Sequence, residues 1–233
     1  MRVFDYIDFD TVTIGNRRHY SISEELRLPS ITTVLGAVSS PEKVASLEAW
    51  RERIGREEAE RISTEAARRG TAVHDLAEIF LLKQDRVSEL ANDADRGLFN
   101  TIRPFLKKYV NEIWGIEKVL FSTSVGIAGR CDGIVIWDGV PSIIDFKTMS
   151  RVKSREEIED YWIQTAFYSL AHDEMYGTNI ENLVIIGAVQ GGLPVIYQEP
   201  REKWLIPLIN KSIEYYDKFV PKNALNATLR FNS

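Results

Sequence analysis

The sequence predicts an α/β fold, a central mixed β-sheet flanked by helices, and three observations lead there. Hydrophobic periodicity along the chain switches between helical and strand-like in the order helices, strands, helix, strands, helix. Asp138-Gly139 separates two β-rich runs, and Asp-Gly is among the strongest hairpin signals because both turn residues tolerate positive φ. The 233 residues are 44% hydrophobic and 27% charged, with no internal repeat or low-complexity linker, which suits one substantial core.

Each element has its own marker. Residues 6–20 alternate polar and apolar around Gly15-Asn16, which predicts an N-terminal β-hairpin covering a sheet edge. Pro29-Ser30 opens a short helix over 31–38, and Ser40-Pro41, with proline in the first turn, starts a charged helix over 41–61. A second long helix runs from Ser63 to Leu82, because Ala66, Gly70, Val73, Ala77, Phe80 and Leu81 keep the spacing of one buried face. Gly70 inside it costs about 1 kcal/mol relative to alanine, so something is expected to approach its backbone closely. A helix over 93–113 precedes strands over 118–125, 130–137 and 140–147. A helix over 155–176, a hairpin over 183–198 turning on Gly191-Gly192 and a terminal helix over 201–219 complete the pattern.

Composition removes several classes of function. The longest apolar run, Leu183 to Val189, falls far short of the roughly 20 residues of a membrane-spanning helix, so no membrane partner is expected. The chain starts with aspartates at 5, 8 and 10 against one arginine, the reverse of a cationic leader, which points to an intracellular, cytoplasmic protein. A single cysteine, Cys131, allows no internal disulfide and excludes zinc or iron–sulfur clusters held by several cysteines; a small buried hydrophobe is its expected role. No Gly-x-x-x-x-Gly-Lys-Ser/Thr loop occurs, so no nucleotide cofactor is expected and any helicase step belongs to a helicase or replication partner. Net charge −5 argues against nucleic acid on average, yet basic residues cluster at Arg17-Arg18, Arg51 to Arg56, Arg68-Arg69, Lys107-Lys108 and Arg151 to Arg155. A local basic groove on an acidic body is compatible with that pattern.

The Asp138-Gly139 turn also sets a register. Trp137 faces Val140, and counting back brings Asp132 opposite Asp145 and Arg130 opposite Lys147, all four on one face. Pro141 then faces Ile136 in a non-hydrogen-bonded pair, where its missing N–H removes no bond. The two carboxylates are expected in a close pair with Cβ atoms roughly 4.5–5.5 Å apart. Ile134, Ile136, Ile143 and Ile144 place them at the end of a buried sheet, where unpaired negative charge is expensive. Lys147 offers one compensating charge, and the spacing suits an oxygen-ligand site for a divalent metal.

Four blocks in order then carry a resemblance: Gly70-x-x-x-His74, Gly129-x-x-Asp132, Asp145-x-Lys147 and Gln164-x-x-x-Tyr168. Together they resemble the PD-(D/E)XK nuclease superfamily, specifically its RecB-like branch. Pro29-Ser30-Ile31-Thr32-Thr33-Val34-Leu35 and Trp50-Arg51-Glu52-Arg53 are similar to the N-terminal region of the mitochondrial genome maintenance exonucleases and their phage and bacterial relatives. The resemblance covers residues 29–198 and implies a restriction-endonuclease-like fold that hydrolyses DNA, mainly from single-stranded ends, with one or two magnesium or manganese ions. Two departures stand out: Cys131 replaces the proline of the superfamily's name, and the iron–sulfur cysteines of some RecB-like relatives are missing.

The resemblance further implies site roles. His74, Asp132, Asp145 and the Phe146 carbonyl would be metal ligands, and Lys147 the catalytic lysine. Gln164 and Tyr168 would lie beside the substrate backbone, with Arg130, Thr148, Arg69, Arg51 and Arg53 as further nucleic-acid contacts. Glu78, one turn after His74, would orient the imidazole or else be a solvated helix carboxylate, and Gln164 and Tyr168 would also be able to bond each other across a turn. Trp50 is a candidate base-stacking platform. A histidine ligand tilts the site toward manganese, so activity with either ion, manganese at least equal, is expected. The expected organisation is one nuclease domain over 1–233: hairpin and helices over 1–61 arching over the strand, a catalytic core over 62–220 and a tail over 221–233. Two other readings stay open, a catalytically silent DNA-end-binding or replication accessory protein and a restriction-type endonuclease. The expected setting is a bacterial cytoplasm or a phage-infected host.

Overall fold

The computed structural model describes residues 3–83 and 92–220, so the expected tail over 221–233 lies outside the described residues. The N-terminal hairpin forms as expected from β1 (Thr11–Ile14) and β2 (Arg17–Ser21). Gly15 and Asn16 between them have φ of 54° and 62°, the turn whose twist matches paired strands. A third strand, β3 (Arg27–Pro29), was not anticipated; it pairs antiparallel with β2 and completes a small sheet. Ser30 and Ser40 then cap α1 (Ile31–Ala37) and α2 (Pro41–Ile54), each side chain accepting from the amide three residues on.

The helix expected over 41–61 ends earlier, at Gly55. Its φ of 91° stops α2, and α3 (Arg56–Leu81) begins directly after it. The continuous charge pattern on both sides concealed that break. In α2 no residue is buried, and in α3 only Ala59 is buried before Val73. Ala66, expected on the buried face, is therefore exposed, whereas Val73, Leu76, Ala77, Ile79 and Leu81 are packed.

Asn92 caps α4 (Asp93–Tyr109), which runs straight into β4 (Val110–Ser122). The expected helix reached 113 and the strand began at 118. Register irregularities at Val110/Glu112 and Ile113/Gly115 break the period of two in the first half of β4 and hid the strand. The chain continues through β5 (Ile127–Trp137), β6 (Val140–Met149), α5 (Glu159–Tyr176), β7 (Asn182–Val189), β8 (Val195–Pro200) and α6 (Glu202–Phe219). Strands β4 to β8 form a five-stranded sheet in sequence order, antiparallel except for β6 and β7, which α5 connects in parallel. The mixed sheet flanked by helices is the expected fold.

Two apolar layers hold it. Val73, Leu76 and Ala77 of α3 with Phe99, Ile102 and Leu106 of α4 pack on Ile144, Phe146, Val184 and Ile186. On the other face, Ile31 of α1, Trp162 and Phe167 of α5 and Leu208 of α6 pack on Ile143, Leu183 and Ile185. Each such side chain, fully buried, contributes about 1.5–3 kcal/mol. Arg68 ties α3 to α4 by a two-pronged bond to the buried Asp95, at 2.7 and 3.2 Å.

The register of β5 and β6 follows the turn as expected from Trp137↔Val140 through Ile136↔Pro141 to Gly133↔Ile144. At Gly133 a Cβ would lie 2.6 Å from Ile144 Cγ1, and Ile144 is fully buried, so it has nowhere to move. Overpacking of this kind costs about 1–3 kcal/mol, so Gly133→Ala is expected to lower the urea midpoint accordingly, with an unchanged slope. A midpoint equal to that of the parent chain would contradict the packing.

Candidate active site

Beyond Gly133↔Ile144 the ladder between β5 and β6 stops. One residue further, the Asp132 carboxylate accepts the Phe146 N–H through Oδ2 at 2.8 Å. The expected pairing of Asp132 with Asp145 is replaced by that bond, and Arg130 does not face Lys147. Arg130 is exposed and donates to the Glu117 carbonyl on β4 at 2.7 Å, while Lys147 turns to α5. The backbone explains the change. Cys131 and Ile134 pack in the same layer beneath α5, although alternation would send them to opposite faces, so β5 turns over between them. Asp132 is thereby brought to α3, with Oδ2 3.4 Å from His74 Nδ1.

The residue that faces Asp132 is Glu117. Ile116↔Gly133 and Lys118↔Cys131 bracket the position, and ligand atoms of His74, Glu117 and Asp132 all lie within 4.8 Å of one another. Glu117 sits at φ 53°, a left-handed backbone uncommon for a residue with a side chain. It was absent from the expected site because the expected strand began one residue later. Burial, then the Asp132 charge, pushes its carboxyl up to about 7.

His74 donates through Nε2 to the Phe146 carbonyl at 2.8 Å. Its Nδ1 faces the Asp132 carboxylate, and the ligand atoms of His74, Glu117 and Asp132 lie near enough together to share one cation. The imidazole is oriented by Phe146 and Asp132 and not, as one expectation had it, by Glu78. Glu78 instead lines the open cleft of about 410 Å³ in front of the histidine, with Gly70, Thr71, Asp75 and Glu117.

Asp145 is fully buried. Lys147 Nζ lies 2.5 Å from its Oδ2, yet neither carboxylate oxygen receives a well-directed hydrogen bond among the described residues. Burial pushes Asp145 up to about 6, against the pull of Lys147, with the Asp132 charge adding to the rise. Burial works against the Lys147 ammonium too, but Asp145 and Asp132 outweigh it and hold its proton more tightly than usual. Lys147 also donates to Gln164 Oε1 at 3.4 Å, and Gln164 Nε2 donates to the Tyr168 hydroxyl at 3.2 Å. Tyr168 is only 2% exposed, so it supports Gln164 from below and does not reach a substrate. Its ring explains Gly129, where a Cβ would meet Tyr168 Cε1 at 2.9 Å, Ile31 at 3.1 Å and Phe167 at 3.2 Å.

Comparison with known proteins identifies the family. The family model of the PD-(D/E)XK nuclease superfamily matches residues 46–202. The chain belongs to the PD-(D/E)XK nuclease superfamily. It is 23% identical over 175 residues to the human mitochondrial genome maintenance exonuclease 1, covering 72% of this chain and 51% of that protein. The chain thus spans about half the length of that relative. A crystal structure of a proposed exonuclease from Eubacterium rectale is 16% identical, with a TM-score of 0.45 over 67% of this chain and 69% of the other.

PD-(D/E)XK nucleases use divalent metals and act on DNA, and the donor set here suits such an ion: carboxylates, a carbonyl and one imidazole nitrogen. The remaining expected contacts are scattered around the superfamily motifs. Thr148 Oγ1 would be 3.8 Å from a Cβ at Gly70, an ordinary contact, so among the described residues the close approach expected at this glycine is not found. Arg69 faces the side-chain amide of Gln190 at the β7–β8 turn, whose oxygen accepts from it once the amide is turned over, and Arg51 is held by Glu48 at 2.5 Å. Arg53 and Trp50 line a cleft of about 860 Å³ between α2 and the start of α5, where Lys43, Arg151, Lys153 and Lys211 are interleaved with Glu156, Glu157, Glu159 and Asp160. No helix among the described residues is long and apolar enough to cross a membrane.

The raised Glu117 and Asp145 carboxyls give a pH signature. Both bind their proton more tightly folded than unfolded, so this stability is present below the ordinary carboxylate range and is lost as pH rises through about 6 to about 7. In chelator-treated protein the melting temperature of Glu117→Gln is expected to fall less between about pH 5 and about pH 8 than that of the parent chain. Parallel curves would contradict the burial of that carboxyl beside Asp132.

Proposed function

We propose that this chain is a divalent-metal-dependent exonuclease that degrades DNA from single-stranded ends without reading its sequence. The observation that carries the proposal is the convergence on Asp132, where β5 and β6 part, of His74 and Glu117 on the cleft side and of Asp145, Phe146 and Lys147 on the buried side. In this reading His74, Glu117, Asp132, Asp145 and the Phe146 carbonyl are the donors for one or two magnesium or manganese ions. An ion held there supplies positive charge to the phosphoryl oxygens and lowers the pKa of water. The chain's own residues do the rest. Lys147, steadied by Gln164, orients the attacking water or offsets charge developing on the phosphate. The cleft beneath α2, lined by basic and acidic side chains together, takes the sugar-phosphate backbone through Arg53 and Lys153, with Trp50 as a stacking surface, while Lys43 and Arg151 are paired with Asp160 and Glu157. Exonuclease action is favoured by the similarity to an exonuclease.

End-labelled linear strands and closed single-stranded circles test the reading together. Linear strands are expected to shorten with manganese at least as fast as with magnesium, and circles to survive. Loss of circles would make the chain an endonuclease, and survival of both would make it a binding protein. A strong preference for magnesium would count against His74 as a ligand.

Lys147→Ala is expected to slow turnover by about a thousandfold or more while leaving strand affinity close to that of the parent chain, and to lower the melting temperature because the buried Asp145 loses its charge partner. Comparable turnover in that variant would remove the lysine from the mechanism.

A further inference from the structure

We infer that Tyr161 is a positioning residue for Lys147, its ring holding the ammonium in place while Lys153 pins its hydroxyl. The inference rests on the reading of Lys147 as the amine at the reacting phosphate. Tyr161 lies in the first turn of α5, three residues before Gln164 and therefore on the same side of the helix. Lys147 Nζ is 4.9 Å from its ring centroid, within the roughly 6 Å over which a cation is attracted to an aromatic face.

The other partners of Lys147 show why the ring matters. Asp145 Oδ2 is close, at 2.5 Å, but Asp145 is also a proposed metal donor and its carboxylate cannot give its full charge to both. The Gln164 bond is long, at 3.4 Å. Once Asp145 is drawn toward an ion, a flexible four-carbon side chain is left with one long hydrogen bond and the Tyr161 face.

Tyr161 is itself anchored. Lys153 Nζ donates to its hydroxyl at 3.3 Å and lies 5.3 Å from the same ring centroid. The Lys153 carbonyl in turn accepts from the Tyr197 hydroxyl of β8 at 2.6 Å. Lys153 also lines the cleft beneath α2, so the tyrosine ring links that cleft to the Lys147 amine.

Two substitutions separate ring from hydroxyl. In metal-free protein, acetylation of Lys147 by acetic anhydride, followed by mass spectrometry, is expected to be several-fold faster in Tyr161→Leu and only slightly faster in Tyr161→Phe, which keeps the ring and loses the Lys153 bond. With manganese, Tyr161→Leu is expected to lower kcat about tenfold with KM within about twofold, while Tyr161→Phe keeps both within about twofold. Should the leucine variant fail to fold, Tyr161→Gln at this half-buried position carries the same expectations. Parent-like labelling and kcat in the non-aromatic variant, or a phenylalanine variant as impaired as the leucine one, would overturn the role. An inactive parent chain would sink the nuclease reading and leave the labelling comparison to decide this one.

Discussion

The site depends on one hydrogen bond, from the Phe146 amide to the Asp132 carboxylate. It takes the place of a strand-to-strand bond where β5 and β6 separate, and it closes the gap with a side chain instead of a carbonyl. Asp132 becomes a hub as a result: its oxygens meet β6 on one side, Glu117 of β4 on another and His74 of α3 in front. Like charges about 4 Å apart repel by about 4 kcal/mol at an effective dielectric near 20, and burial adds to that cost. The fold relieves the strain by keeping protons on Glu117 and Asp145 beyond their ordinary range and by drawing Lys147 against Asp145. A divalent cation would relieve it more fully, and a phosphodiester needs that same charge.

A second set of contacts joins the motifs to the core. Lys147 leads to Gln164, Gln164 to the Tyr168 hydroxyl, and the Tyr168 ring to the bare backbone of Gly129. Ile31 of α1 closes on the same glycine. The helix that seals one face of the sheet therefore also sets the height of the lysine, and the glycine three residues before Asp132 makes room for that seal. Burial holds the Tyr168 hydroxyl far above its usual pKa, which keeps it a neutral bonding partner for Gln164.

The Asp138-Gly139 turn allowed the β5–β6 register to be read as far as Gly133, because a tight turn dictates the pairing next to it. It said nothing about β4, the other neighbour of β5. Glu117 escaped notice for that reason: a turn names one partner of a central strand, and the irregular first half of β4 blurred its alternation. Gly55 was similarly silent, since a helix break by backbone conformation alone leaves the charge pattern on both sides intact. The motif blocks holding His74, Asp132, Asp145 and Lys147 were legible through the family resemblance, and the turn led to an expected facing pair of Asp132 and Asp145. The arrangement differs from that pairing because β5 turns over between Cys131 and Ile134, which only packing reveals.

The central claim is that Asp132 gathers donors for a cation. Crystals grown without metal and soaked in manganese chloride would test it through the anomalous signal of the ion. A peak within coordination distance of Asp132, shared with at least one of His74, Glu117 or Asp145, is the predicted result. A fully soaked crystal whose manganese peaks all lie away from Asp132 would contradict the account.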